Sequence, residues 1–162
     1  MDNTYDLNTK WVLWFHSINN KKWDIKSYNN ILEINDLLSL KSIFNVLIAN
    51  HYQNGMFFIM RNNILPMWEY PDNRDGYCLS YKIPASELKE NCDNIIKITL
   101  TEEIFMNKDD HIKLNGISIS PKKEFNIIKL WFRENIDYKK VIREYPPFIL
   151  HSKSIYKKNI SS

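Results

Sequence analysis

The alternation of apolar and polar positions predicts a chain built mainly of short β-strands. Between Lys10 and His16 both faces of the predicted strand carry large side chains: Trp11, Leu13 and Phe15 on one, Val12, Trp14 and His16 on the other. Further strands are predicted over 56–60, 77–83, 117–120, 127–132 and 148–150. Pro84 ends the strand at 77–83, because proline has no backbone N–H for the ladder.

Helical patterns are fewer and lie far apart along the chain. Asn35 or Asp36 is a candidate N-cap for a helix to about Ala49, whose predicted buried stripe consists of Leu37, Leu40, Phe44 and Leu47. Ser86 is a candidate N-cap for a short helix that contains 87–92, and a last helix is predicted over 137–145. Strands outnumber helices, so the predicted fold is α+β, a curved antiparallel β-sheet with helices packed on its convex face.

Glycine is scarce, which changes both the turns and the possible functions. The chain has 3 glycines, and Gly55, Gly76 and Gly116 stand too far apart for a Walker A loop or a G-x-G-x-x-G turn. P-loop and dinucleotide-binding folds are therefore excluded. The asparagine pairs at 19–20, 29–30 and 62–63 are predicted to form turns instead.

Length and charge predict one domain over 1–162, with its core in 5–150 and a loose basic tail at 151–162. The net charge of +3, from 22 basic and 19 acidic residues, is too balanced for a duplex DNA footprint. The N-terminus is polar, and the apolar runs are too short to cross a bilayer. We expect a cytoplasmic monomer without DNA or membrane partners.

The residues that bind metals or form disulfides show no useful pattern. Cys78 and Cys92 are the only cysteines, no C-x-x-C is present, and the 4 histidines are scattered. We therefore expect a reducing compartment, no metal site and no cofactor.

Three tryptophans, Trp23, Trp68 and Trp131, are predicted to lie in loops or at strand ends. Trp68 lies in the string Ile-Leu-Pro-Met-Trp-Glu at 64–69, with Trp-Val-Leu-Trp-Phe at 11–15 upstream and Leu-Trp at 130–131 downstream. In order and spacing, these strings resemble the eukaryotic translation initiation factor 4E family of mRNA cap-binding proteins. The resemblance covers about residues 5–150.

The resemblance implies a site for the 7-methylguanosine cap of mRNA. Trp23 and Trp68 would stack on the two faces of the base, whose positive charge adds cation–π attraction. Glu69 would accept the two adjacent N–H donors of the guanine edge, and Trp131 matches the position that packs against the N7-methyl group.

The cap triphosphate needs cations, and here the chain departs from the family. Lys122 matches a family arginine, but a second family arginine is replaced by Cys78 and a family lysine by Ile127. Lys129 shares a strand face with Trp131, so we expect it to compensate together with Arg74 or Lys123.

The family's second surface binds the scaffold protein translation initiation factor 4G through a tryptophan on a helix. The matched residue here is Lys41, and Tyr5-Asp6 replaces an upstream His-Pro pair, whereas Leu37 still matches an apolar contact. Loss of an aromatic anchor weakens an interface strongly. The resemblance therefore leaves two roles open, an initiation factor with a non-standard scaffold contact and a repressor that only sequesters caps.

Other interpretations of the same residues remain. Trp11 and Trp14 are expected in the core, and Trp23 or Trp131 taken alone would also be assigned to packing. An enzyme that acts on capped RNA would need an acid cluster or an activated nucleophile. The acids at 102, 103, 109 and 110 lie in a polar stretch and are expected at the surface, so no catalytic residue is predicted.

Overall fold

A computed structural model describes residues 5–159 of the chain. The strands in this part form a single antiparallel, curved sheet in the order β2-β1-β3-β5-β6-β4-β7. The seven strands of the described residues are β1 (Asp6–Ser17), β2 (Asn29–Asp36), β3 (Gly55–Arg61), β4 (Tyr77–Pro84), β5 (Leu114–Pro121), β6 (Phe125–Phe132) and β7 (Ile155–Lys158).

Helices occupy the connections between strands. The α-helices of the described residues are α1 (Leu37–Val46), α2 (Ala49–Asn54), α3 (Pro71–Arg74), α4 (Leu88–Leu100), α5 (Tyr138–Val141) and α6 (Leu150–Lys153). Short 3-10 helices span Ile25–Ser27, Ala85–Glu87 and Lys108–Lys113. Both α2 and α4 contact β5 near the centre of the sheet. The predicted α+β class is confirmed. Within residues 5–159, no helix is long and apolar enough to traverse a bilayer.

The two faces of β1 serve different parts of the molecule, as its alternation predicts. Trp11, Leu13 and Phe15 pack into the main core, which lies between the sheet and helices α1, α2 and α4. Trp14 lies on the other face, against a small cluster of Phe58, Met60 and Trp131. One face of the sheet therefore supports the core, and the other is free to carry a site.

Helix α1 begins at the predicted cap but buries a different stripe. An Asp36 Oδ1 accepts from the Ser39 N–H at 2.8 Å, which fixes the first turn. The buried residues of α1 are Leu40 and Ile43, which keep one helix face against the sheet, and Leu47, the C-cap just after the helix, is buried as well. Leu37, predicted in the stripe, lies in the first turn and is 40% exposed.

Two edge strands were not predicted. The asparagine pair at 29–30 does not form a turn, because Asn29 and Asn30 begin β2 and pair with Phe15 and Trp14 of β1. The prediction of a loose tail is wrong for residues 151–153, which belong to α6, and for residues 155–158, which form β7 and pair with β4. Positions 160–162 of that prediction lie outside the described residues. Backbone pairing stabilises both strands, although β2 begins with two asparagines and β7 ends in two lysines.

The helices predicted near 86 and 137 also differ in extent. Ser86 lies in a 3-10 helix, and α4 begins at Leu88 and continues to Leu100, because its apolar face is buried against the sheet. The helix predicted over 137–145 is only Tyr138–Val141, since Ile142 leaves it to bridge Phe105. Residues 148–150 are not a strand. Phe148 makes an isolated bridge, and Leu150 begins α6.

Among the described residues, the left-handed backbone positions are occupied by residues other than glycine. Asn62, in the predicted 62–63 turn, has φ 52°. Glu102 has φ 67° just after α4, where its N–H donates to the Thr99 carbonyl. The expectation that Glu102 lies at the surface is wrong, because it is 5% exposed.

The buried Glu102 carboxylate is held by an arginine and an asparagine. Arg61 Nη1 lies 3.6 Å from its Oε1, and the Asn8 amide donates to both oxygens. The guanidinium also donates to the carbonyls of Leu114 and His111, each at 2.9 Å, and lies 4.2 Å from the ring centre of Trp11. The pair therefore joins the end of α4 to β1, β3 and β5.

We expect Arg61→Met to destabilise the protein by about 3–5 kcal/mol, because it leaves the Glu102 charge buried without its partner. Urea unfolding followed by circular dichroism measures this change. Lys10→Met is the matched control. It removes the exposed Lys10–Glu33 pair at 2.9 Å and should cost less than about 1 kcal/mol. Equal losses in the two variants would contradict the structural role of the buried pair.

Candidate functional site

A cavity of about 330 Å³ opens on the face of the sheet opposite the main core. Five of the predicted site residues line it: Trp23, Trp68, Glu69, Lys129 and Trp131. The remaining wall is formed by Tyr28, Met56, Phe58, Pro66, Ser118 and Ser120. The sequence did not single out these six residues, although the alternation of strands β3 and β5 places Phe58 and Ser118 on this face.

Trp23 lies in the segment that follows β1, and its side chain is 47% exposed. One face of the indole stacks on the His16 ring, with centroids 3.9 Å apart and planes within 3°. The Nε2 of His16 lies 2.8 Å from the Lys22 carbonyl oxygen and 3.1 Å from Ser27 Oγ. His16 is completely buried, so a fixed ring supports the loop that carries Trp23.

His16 was not predicted to take part in the site. The signal for it was available in β1, where it shares a face with Trp14. Its contact with Trp23 depends on how the loop folds back, which spacing alone does not show.

Trp68 and Glu69 lie in the segment before α3. The Trp68 side chain is 51% exposed. The buried Asn73 holds this segment, since its amide donates to the carbonyls of Leu65 and Met67, each at 2.9 Å. Asn73 is held in turn by the Asn115 amide, which donates to its Oδ1 at 3.0 Å. The buried side-chain amides of Asn73 and Asn115 therefore fix the turn that carries Trp68.

Glu69 gives the cavity a negative charge. Burial in the cavity wall, together with that charge, raises the pKa of Tyr28 to about 12. Tyr28 is therefore neutral near pH 7, and the exposed Glu69 carboxylate is free to accept hydrogen bonds from a ligand.

Trp131 lies near the end of β6 and is 6% exposed. Its Nε1–H donates to Ser118 Oγ at 3.0 Å, and the Phe58 ring meets it edge-on with centroids 6.1 Å apart. Both contacts fix the indole in the wall of the cavity. Trp131 is thus a contact surface that cannot move far, in contrast to the exposed rings of Trp23 and Trp68.

The predicted cations divide into two groups. Lys129 lines the cavity, whereas Arg74, Lys122 and Lys123 do not. Arg74 is the last residue of α3, and Lys122 lies in the β5–β6 turn, where its N–H donates to the Phe125 carbonyl. A second cavity of about 260 Å³ adjoins the first and is lined by Trp68, Cys78, Ser80, Lys129, Trp131, Lys157, Lys158 and Asn159.

The predicted partner surface lies at the start of α1. The Leu37 N–H donates to the Tyr5 carbonyl oxygen at 2.8 Å, and both side chains are exposed, at 40% and 60%. Lys41 is exposed one helical turn further along α1. The structure therefore brings Tyr5, Leu37 and Lys41 to one end of the helix.

The cavity residues can stack on a flat ring, accept hydrogen bonds at its edge and neutralise an anion. Trp23 and Trp68 offer exposed ring faces, Glu69 offers acceptors and Lys129 offers a cation. Across residues 5–159, no group of three or more His, Cys, Asp or Glu side chains is arranged to hold a metal ion.

Solved structures with the same fold come from several animals. Initiation factor eIF4E-3 of C. elegans, in complex with the 4E-binding protein Mextli and a cap analogue, matches with TM-score 0.70 and 15% identity over 80% of this chain and 75% of that one. Ascaris suum eIF4E-3 with the m2,2,7G cap matches with TM-score 0.70 and 15% identity over 84% and 77%.

A schistosome eIF4E in complex with m7GpppG and 4E-BP matches with TM-score 0.73 and 10% identity over 86% of this chain and 78% of that one. At these identities the likeness establishes the fold. No curated protein sequence matches the chain.

The family itself is established by sequence. The model of the family described as eukaryotic initiation factor 4E matches residues 6–154, from the start of β1 to the residue after α6. This match confirms the resemblance noted from the tryptophan strings. The chain is therefore a member of the eukaryotic initiation factor 4E family.

Proposed function

We propose that the protein binds the 7-methylguanosine cap of mRNA in translation initiation, with the base between Trp23 and Trp68 and its edge on Glu69. One observation carries the proposal. Trp23 and the adjacent pair Trp68 and Glu69, which are 45 positions apart in sequence, line the same cavity, and both indoles are about half exposed. Family membership and the cap analogues bound to the similar solved structures also support it.

Methylation at N7 gives guanine a positive charge that is spread over the ring. A charged ring between two indoles gains cation–π attraction in addition to dispersion, and unmethylated guanine lacks the first of these. Stacking on an aromatic side chain contributes about 1–3 kcal/mol per base. His16 covers the rear face of Trp23, so one face of that indole is left for the base.

Glu69 supplies selectivity for guanine. The N1–H and N2–H₂ groups of guanine are adjacent donors, and one ionised carboxylate can accept from both. Adenine presents an acceptor at the matching position, so its edge would face the carboxylate unfavourably. Trp131, fixed by Ser118, would pack against the N7-methyl group at the wall of the cavity.

The proposed role is binding without chemistry, and we assign no catalytic residue. A protein that acts on the caps of translated mRNA is expected in the cytoplasm. A repressor that sequesters caps is the second candidate, and the observation that favours it is Lys41 on the exposed face of α1 in place of the family's tryptophan.

Titration with 7-methyl-GTP is expected to quench much of the tryptophan fluorescence, because the ligand stacks on two of the 5 tryptophans. GTP is the control ligand and should quench little. Trp68→Ala should weaken 7-methyl-GTP binding about ten- to hundredfold. An equal response to both ligands in the unmodified protein would contradict the methyl-sensing stack.

Glu69→Gln is expected to weaken 7-methyl-GTP binding about tenfold or more, because the amide offers one acceptor oxygen and places a donor against the guanine N–H groups. The same titration measures the dissociation constant. Glu87→Gln, which removes an exposed carboxylate in the 3-10 helix before α4, is the matched control and should bind like the unmodified protein. Unchanged affinity in Glu69→Gln would remove Glu69 from the site.

Lys41→Trp is expected to raise affinity for a peptide with the family's scaffold motif, Tyr-x₄-Leu-φ, because it restores an aromatic anchor beside Leu37. Isothermal titration with the peptide measures the change. Lys97→Trp places the same side chain at an exposed position of α4 and should have no effect. If Lys41→Trp binds no better than the unmodified protein, Lys41 is not the obstacle to scaffold binding.

A further inference from the structure

The second cavity continues from the first and has a different chemical character. Trp68, Lys129 and Trp131 line both cavities. Of the eight residues that line the second one, three are lysines and none is acidic. Within residues 5–159, Lys129, Lys157 and Lys158 form no ion pair. A concave surface with three unpaired cations and no carboxylate attracts an anion with several charges.

Strand register explains why Lys129 and Lys157 lie there, whereas Lys158, paired with Tyr77 as the last residue of β7, lines the cavity from the end of the strand. Cys78 of β4 is paired with Trp131 on one side and with Lys157 on the other. Directly paired residues of antiparallel strands present their side chains on the same face, so these three form a row across the sheet. Lys129 is paired with Ser80, two residues from Cys78, and therefore lies on that face as well.

The Cys78 thiol supports this placement of Lys129. Burial raises the pKa of Cys78 to about 12, and the positive charge of Lys129 acts in the opposite direction. The thiol is therefore neutral near pH 7. Cys78 therefore contributes no charge, and the positive charge of this row comes from the lysines.

Strand β7 is anchored at both sides of its lysines. After Lys158, the Asn159 N–H donates to the Gly76 carbonyl at 2.9 Å, and its amide donates to the Asn73 carbonyl at 2.7 Å. Before Lys157, the Tyr156 ring stacks on Tyr77 with centroids 5.1 Å apart. A fixed strand therefore carries the lysines, so little backbone entropy is lost when they contact a ligand.

We propose that Lys129, Lys157 and Lys158 bind the triphosphate of the cap, with the two β7 lysines supplying charge that the chain lacks at Cys78 and Ile127. The inference rests on the proposed function. A base stacked on Trp68 lies at the wall shared by the two cavities, so its phosphate chain enters the second cavity directly. The cations thus come from the C-terminal strand, and Arg74, Lys122 and Lys123 are not required.

A ligand series that differs only in phosphate number tests this inference. The dissociation constants of 7-methylguanosine and its mono-, di- and triphosphates are measured by fluorescence for the unmodified protein and for Lys157→Gln/Lys158→Gln. The matched control is Lys139→Gln/Lys140→Gln, which removes two exposed lysines of α5. Lys157→Arg/Lys158→Arg keeps the charge.

The Gln double variant is expected to lose about tenfold or more in 7-methyl-GTP affinity and less than about twofold for the nucleoside. Its salt dependence should become shallower, since fewer phosphate charges are neutralised. The Arg variant and the α5 control should behave like the unmodified protein.

Two results would overturn the inference, and they are distinguishable. If the Gln variant binds 7-methyl-GTP as tightly as the unmodified protein, with the same salt dependence, the β7 lysines do not hold the phosphates, although the base site stands. If the unmodified protein binds none of the four ligands, the proposed function fails and the phosphate site fails with it. Unchanged binding of the nucleoside shows that the variant is folded.

Discussion

The site depends on buried polar groups that hold two tryptophan side chains at the surface. Burying a large apolar side chain contributes about 1.5–3 kcal/mol, so an exposed indole tends to turn inward. His16 and Asn73 oppose this tendency. The His16 ring stacks on Trp23, and Asn73 holds the backbone just before Trp68. Both are at most 1% exposed and hydrogen-bonded to the backbone of the segments that carry the tryptophans. Loss of these bonds would leave polar atoms buried without partners, which is costly.

In the whole sheet, the residues that build the core and the residues that carry the site lie on opposite faces. Strand alternation sends Trp11 and Phe57 to the core, and sends Trp14 and Phe58 to the opposite face. The helices cover the first face, and the buried Arg61–Glu102 pair ties the end of α4 to the strands. The second face can therefore remain open to a ligand without weakening the core. Stability and binding are assigned to alternate residues of the same strands.

The sequence predicted those strands that have a clear apolar periodicity, and it missed those that form because their backbone pairs with a neighbouring strand. The strands at 56–60, 77–83 and 127–132 have clear patterns, and they occur in the structure within one or two residues of the predicted bounds. Strands β2 and β7 were missed, because backbone pairing with a neighbour stabilises them whatever their polarity. Of the five cavity residues found from sequence, Trp68, Glu69 and Trp131 belong to strings that matched the family, Trp23 was implied by the resemblance, and Lys129 was found from strand alternation. Lys122 was chosen by its match to a family arginine and Arg74 by its place along the chain, and neither criterion shows which cavity a side chain reaches.

The fate of the family's missing arginine follows from the same argument. At Cys78 the chain has a neutral, partly buried thiol that donates to Asn159 Oδ1 at 2.9 Å. A charged side chain there would have to compete with that contact. The adjacent strand places Lys157 directly opposite, on the same face, so a cation is retained at a distance of one strand spacing, about 4.8 Å. A ligand responds to where charge lies in space, and not to which strand carries it. Under the proposed function, the phosphate contact that the sequence lacks on β4 is supplied in the folded sheet from β7.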